Sequence, residues 1–124
     1  LAQFFKKIVF SDMLRPVNYL DEMPGLSLVS DVVMNHNFSF PSGHTTSAFT
    51  FFTAIALLWP HKYRDYLWFA MACLAGYSRV YLSQHFLIDV LAGALLGFST
   101  TALLFIFVYP VFLPNLHRSL IKKA

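Results

Sequence analysis

Charge is scarce in this sequence. Lys, Arg, Asp and Glu make up 12% of its 124 residues, about half the usual share in a soluble globular domain. What basic residues there are form no run interleaved with aromatics, so no nucleic-acid partner is expected. A single cysteine, Cys73, excludes an internal disulfide and any multi-cysteine metal site. Its neighbours, Ala70-Met71-Ala72 and Leu74-Ala75, read as small-residue helix packing. Internal repeats and low-complexity segments are absent. The chain starts at Leu1 inside an apolar stretch, with no basic n-region ahead of it and no cleavage site after it. That is not a signal peptide. The start reads as an interior cut, so residues 1–124 are expected to form one membrane-embedded domain truncated at its N-terminus.

What the sequence has in abundance is grease. Hydrophobic residues make up 57%, phenylalanine alone occurs 14 times, and mean hydropathy is +0.59. Such a chain belongs in a bilayer rather than in the core of a large soluble assembly. Leu1 to Leu14 has a helical pattern broken by Lys6 and Lys7, and it stops at Arg15-Pro16, where proline removes a backbone donor. Residues 16–40 are irregular, with a short amphipathic helix expected over Leu26 to Met34. Three apolar runs follow: Thr45 to Trp59, closed by Pro60; Tyr66 to Leu82; and Phe86 to about Phe112. A spanning helix needs roughly 20 apolar residues. The third run meets this comfortably; the other two do so only with their polar ends at the membrane surface. Gly76, Gly93, Ala94 and Gly97 recur at helix spacing and suit close helix approach.

If the three runs span, the polar motifs share one membrane face. That face carries Lys6, Lys7, Arg15 and Arg79 against Asp12, Asp21, Glu22, Asp31 and Asp89, a net of −1. The other carries Lys62, Arg64, Arg118, Lys122 and Lys123 against Asp65, a net of +4. The positive-inside rule puts the 61–65 turn and the C-terminus in the cytoplasm. The motifs then face the periplasm, the exterior or a lumen.

Ionisable residues at the ends of spanning segments are costly and need a reason. Pro41-Ser42-Gly43-His44 stands at a helix start, where exposed backbone donors and the helix dipole favour an anion. Gly43 allows close approach to an oxyanion, Ser42 adds a donor, and His44 could protonate a leaving oxygen. The bland alternative is an ordinary Ser42 N-cap beside an interfacial histidine. Next come Ser78-Arg79 and, further on, His85 and Asp89, four residues apart and so on one helix face. A carboxylate there can hold an imidazole in one tautomer while its other nitrogen attacks; the alternative is a structural His–Asp pair. Arg79 presents a planar fork suited to two phosphate oxygens. Arg15-Pro16, with Lys7 or Lys6 upstream, adds cations whose alternative role is as snorkelling anchors.

Together these residues resemble the signature of the type-2 phosphatidic acid phosphatases. That signature is lysine, six residues, Arg-Pro; then Pro-Ser-Gly-His; then Ser-Arg, five residues, His, three residues, Asp. Pro41 to His44 match the second part, and Ser78, Arg79, His85 and Asp89 match the third at full spacing. Arg15-Pro16 matches the first, although seven residues rather than six separate Lys7 from Arg15. The extra residue turns a helix by about 100°. The resemblance covers nearly the whole chain. It implies an all-α transmembrane bundle, here the last four of six helices, in a fold shared with the soluble vanadium haloperoxidases. It also implies that His85 takes the phosphoryl group, Asp89 orients it, and His44 protonates the leaving alkoxide and then activates water. Lys7, Arg15, Ser42, Gly43 and Arg79 would hold the phosphate oxygens. No metal or other cofactor is implied, since cations and a helix terminus neutralise the developing charge.

Other chemistries fit less well. A serine hydrolase using Ser42 or Ser78 lacks the Gly-x-Ser-x-Gly elbow. A zinc site of His44, His85 and Asp89 lacks a His-Glu-x-x-His pattern, and Arg15 and Arg79 would repel the ion. A transporter or lipid-binding protein could keep the pocket for an anionic lipid alone. A site at the membrane interface implies a substrate with an apolar tail and a phosphorylated head, such as phosphatidic acid, phosphatidylglycerol phosphate, an isoprenoid pyrophosphate, a lipid A phosphate or a sphingoid phosphate.

Overall fold

Prolines, one serine cap and one carboxylate set where the helices of this chain start and stop. The structure, a computed structural model, describes Phe4, residues 13–20 and residues 36–112. The elements are a single turn α1 (Val17–Leu20), then α2 (Gly43–Leu58), α3 (Arg64–Tyr81) and α4 (Leu87–Leu103). A π-helical stretch (Leu104–Val108) runs on into a last turn, α5 (Tyr109–Phe112). Among the described residues there is no strand, and the all-helical expectation holds. Lys6, Lys7, the 26–34 helix and the basic tail fall outside the described residues.

The Ser42 hydroxyl oxygen caps α2, accepting from the Thr45 N–H at 3.4 Å and the Thr45 hydroxyl at 2.9 Å. Trp59-Pro60 ends it, because a residue before proline is pushed out of the helical region. Asp65 in the first turn of α3 and Arg79 in the last both complement the helix dipole. Phe86 enters α4 extended, and its N–H donates to the Asp89 carboxylate at 3.0 Å. Further on, Pro110 lacks an N–H for the Ile106 carbonyl and its ring crowds that carbonyl. The turn before it widens, and the Tyr109 N–H reaches back to the Leu104 carbonyl. Residues 13–15 are not helical, and Pro16 opens the single turn α1, where a missing N–H costs nothing.

Helix α2 packs against both α3 and α4, which touch each other less. Two glycines of α4 make this possible. A Cβ on Gly93 would lie 2.5 Å from the Ser42 carbonyl oxygen, and one on Gly97 would collide with the Thr46 carbonyl. The backbones therefore meet directly, as the small-residue spacing predicted. The distribution of polarity is inverted relative to a water-soluble domain. Arg15, Ser39, Ser42, Thr45, His85, Asp89 and Thr101 are buried, whereas Phe69, Leu74, Leu95, Phe98 and Phe107 are exposed.

Of the three apolar runs, the third forms one helix, Leu87–Val111, of 25 residues with mean hydropathy 2.1. Among the described residues it alone is long and apolar enough to cross a membrane. Helices α2 and α3, at 16 and 18 residues, rise about 24 and 27 Å, just short of a hydrocarbon core of about 30 Å.

Candidate active site

The start of α2, the end of α3 and the start of α4 meet at one end of the bundle. The Ser42 N–H donates to the Asp89 carbonyl at 2.9 Å, and the same α4 turn carries the Asp89 side chain inward. This end collects most of the chemistry-bearing residues that the sequence singles out.

At its centre is the His85–Asp89 pair, with one correction to the expectation: the two do not share a helix face, because α4 begins at Leu87 and His85 reaches Asp89 from the turn before it. Both residues are 2% exposed, and His85 Nδ1 stands 3.3 Å from Asp89 Oδ2. That oxygen also accepts from the Phe86 N–H and from the Ser39 hydroxyl. Three donors converge on one buried carboxylate oxygen, which fixes the carboxylate and through it the imidazole. Ser39, 1% exposed, was not read from the sequence. Its only signal there is a hydroxyl residue between Phe38 and Phe40, just ahead of Pro41. The strap carrying it is tied down at its backbone: the Ser39 N–H donates to the Met13 carbonyl at 3.0 Å, and the Arg15 N–H to the His36 carbonyl at 3.1 Å.

Two guanidiniums converge on Gln84, the residue before His85. Arg15 donates from Nε to the Asn37 carbonyl at 3.0 Å and from Nη1 to the Gln84 carbonyl at 3.3 Å. Arg79 donates from Nε to the Ser78 hydroxyl at 3.1 Å and from Nη1 to Gln84 Oε1 at 3.2 Å. Burial lowers the Arg15 pKa and the nearby Asp89 charge opposes this; a group that starts so high stays cationic. Every described cation of the predicted set is therefore hydrogen-bonded and oriented.

Ser42 is fully buried and serves as the N-cap, as its alternative reading proposed. Gly43 and His44 form the first turn of α2, with Gly43 half-buried and His44 exposed. Lys7 lies outside the described residues. No cluster of three or more His, Cys, Asp or Glu side chains stands together among the described residues.

A helical bundle with a buried histidine–carboxylate pair, and two arginines anchored on the residue before that histidine, is the class of protein that fold and site define. The chain belongs to the PAP2 superfamily, whose family model matches residues 1–112. It is 39% identical over 82 residues to the bacitracin transport permease protein BcrC of Bacillus licheniformis, a match covering 66% of this chain and 38% of that protein. It is 46% identical over 59 residues to a lipid A 1-phosphatase of Rhizobium etli, covering 48% and 25%. To phosphatidylglycerophosphatase B of Bacillus subtilis it is 41% identical over 75 residues, covering 53% and 37%. The chain thus spans well under half the length of these relatives. No solved structure matches it.

Proposed function

We propose that this chain is the site-bearing part of a membrane lipid phosphatase that works through a phosphohistidine, without a metal. The carrying observation is the buried His85–Asp89 pair set beside two oriented guanidiniums. A nucleophile of fixed tautomer and a pair of planar cations together suit phosphoryl transfer, where positioning and charge neutralisation supply most of the catalysis. Membership in the superfamily and the names of two relatives, which refer to phosphatases, support the reaction type.

In the first step His85 Nε2 attacks phosphorus while Nδ1 keeps its proton on Asp89. The bond from phosphorus to the lipid oxygen breaks, and His44 gives that oxygen a proton. Arg15, Arg79, Ser42, the Gly43 backbone and Lys7 hold the remaining phosphoryl oxygens. In the second step His44 takes a proton from water, the water oxygen attacks phosphorus, and the P–N bond breaks. Inorganic phosphate leaves and His85 returns to its neutral form.

The bilayer is the second half of the proposal. Only 22% of the apolar window of the long helix is buried, where a soluble core helix would be mostly covered. Exposed Tyr19, Tyr77 and Tyr81 mark one end of the bundle and Trp59, Tyr63 and Tyr66 the other, as aromatic belts do at two membrane interfaces. A multi-pass arrangement has the site facing outward and the 61–65 turn in the cytoplasm. The substrate then carries an apolar tail that stays in the membrane.

The test is release of inorganic phosphate by the full-length protein from a panel of detergent-dispersed lipid phosphates, in excess chelator. Release should persist in chelator, vanadate should inhibit, and His85→Ala should abolish turnover. Activity lost in chelator and restored by zinc or magnesium would overturn the metal-free mechanism. One relative is named a bacitracin transport permease, which leaves as a second reading a non-catalytic membrane protein, a transporter or an anionic-lipid binder, that keeps the pocket. Binding of the lipid phosphates with no phosphate release from any of them would establish it instead.

A further inference from the structure

Gln84 belongs to no part of the signature, yet both guanidiniums of the site rest on it. Arg79 Nη1 donates to its side-chain Oε1 at 3.2 Å, and Arg15 Nη1, 69 residues away in sequence, donates to its main-chain carbonyl at 3.3 Å. Its own position is fixed as firmly. Ser83 takes a left-handed conformation, φ 54°, which turns the chain back over the end of α3. The Arg79 carbonyl then accepts both the Gln84 N–H at 3.0 Å and the His85 N–H at 3.3 Å. Arg79 and Gln84 therefore grip each other at backbone and side chain, immediately before His85.

We propose that Gln84 is a positioning residue for phosphate recognition, gathering Arg15 and Arg79 beside His85 through two uncharged carbonyl oxygens. This rests on the phosphatase reading above. Its chemical point is neutrality. An amide oxygen orients a guanidinium as a carboxylate would, but it does not cancel the cation, so both positive charges stay available to the phosphate. The partners already engaged leave Nη2 and the second Nη1 proton of each arginine as the edge that meets phosphate oxygens, an end-on approach. An acidic residue at position 84 would form an ion pair with Arg79 and compete with the substrate for it, while the main-chain carbonyl that holds Arg15 would be unchanged.

The discriminating variant is Gln84→Glu, which keeps the length and the acceptor and adds only charge. Gln84→Leu is its complement, removing the acceptor at similar volume. In the full-length protein, with the lipid phosphate of the panel above that wild type hydrolyses fastest as substrate and vanadate as inhibitor, both variants should raise KM and the vanadate Ki. The rise should be roughly tenfold or more for Gln84→Glu, where a new anion sits close to the phosphate, and smaller for Gln84→Leu. Thermal stability of Gln84→Glu should match wild type, and kcat/KM should fall by at least as much as KM rises. A merely structural role predicts the reverse order, with Gln84→Glu rescuing what Gln84→Leu loses. KM and Ki within twofold of wild type in Gln84→Glu would overturn the proposal, as would a loss confined to kcat. Should Gln84→Leu not fold, Gln84→Glu decides alone. A wild-type protein that neither releases phosphate nor responds to vanadate would sink the phosphatase reading and this proposal with it. An active wild type with an indifferent Gln84→Glu sinks this proposal only.

Discussion

At the residue scale the site is organised around the single oxygen Oδ2 of Asp89. Its three donors come from the 36–40 strap, from the turn before α4 and from His85. Removing the strap donor leaves a buried carboxylate short of one hydrogen bond, which costs about 1–3 kcal/mol. Ser39→Ala should therefore lower the unfolding midpoint and, because Asp89 is no longer held, reduce kcat more than it raises KM. Unchanged stability together with unchanged kcat would show that the contact does nothing for either. The two histidines are separable by leaving group. General-acid help is worth roughly 10² to 10⁴ only when the leaving oxygen needs a proton. His44→Ala should slow phosphoenzyme formation from a glycerol phosphate ester far more than from a nitrophenyl phosphate, whereas His85→Ala should stop both. If His44→Ala slows both substrates equally, His44 is a phosphate-holding residue and the proton comes from elsewhere.

At the scale of elements, the site exists because α2 and α4 are in backbone contact. Gly93 faces the Ser42 carbonyl, one turn of α4 beyond Asp89, whose carbonyl accepts the Ser42 N–H. A methyl group at Gly93 must push the two helix starts apart, and overpacking of this kind costs about 1–3 kcal/mol. Gly93→Ala should lower the unfolding midpoint in detergent and reduce activity beyond what its stability loss explains, since Ser42 and Asp89 separate. Gly97→Ala, a turn further from the site, should destabilise similarly with less effect on kcat. Equal activity losses in the two variants would mean that the spacing at Ser42 is not what matters.

At the scale of the whole molecule, a buried polar cluster and an apolar exterior fit a protein of the bilayer, and the proposed direction rests on the positive-inside rule. In a Cys73→Ala background, Asn37→Cys should react with a membrane-impermeant maleimide in intact cells. Lys62→Cys, on the exposed turn between α2 and α3, should react only after permeabilisation. The opposite pattern would reverse the proposed orientation, and labelling of both in intact cells would refute a span between them.

The sequence by itself determined the helical class, the helix ends at Ser42 and Pro60, the close approach of Gly93 and Gly97, and the His85–Asp89 pairing. Each rests on local chemistry: a cap, a missing N–H, a missing Cβ, or a short spacing that keeps two side chains within reach of each other. Local rules put His85 and Asp89 on one helix face, because they register the spacing but not that α4 begins only at Leu87, after His85. Ser39 and Gln84 were beyond them altogether. Ser39 reaches Asp89 across 50 residues, and the Gln84 carbonyl meets Arg15 across 69. A serine and a glutamine in short turns carry no periodicity and no charge that would single them out. Their partners are chosen only when α2, α3 and α4 bring three distant turns to the same end of the bundle. Burial then gives those hydrogen bonds their weight, since a polar group cut off from water must find its partner within the fold.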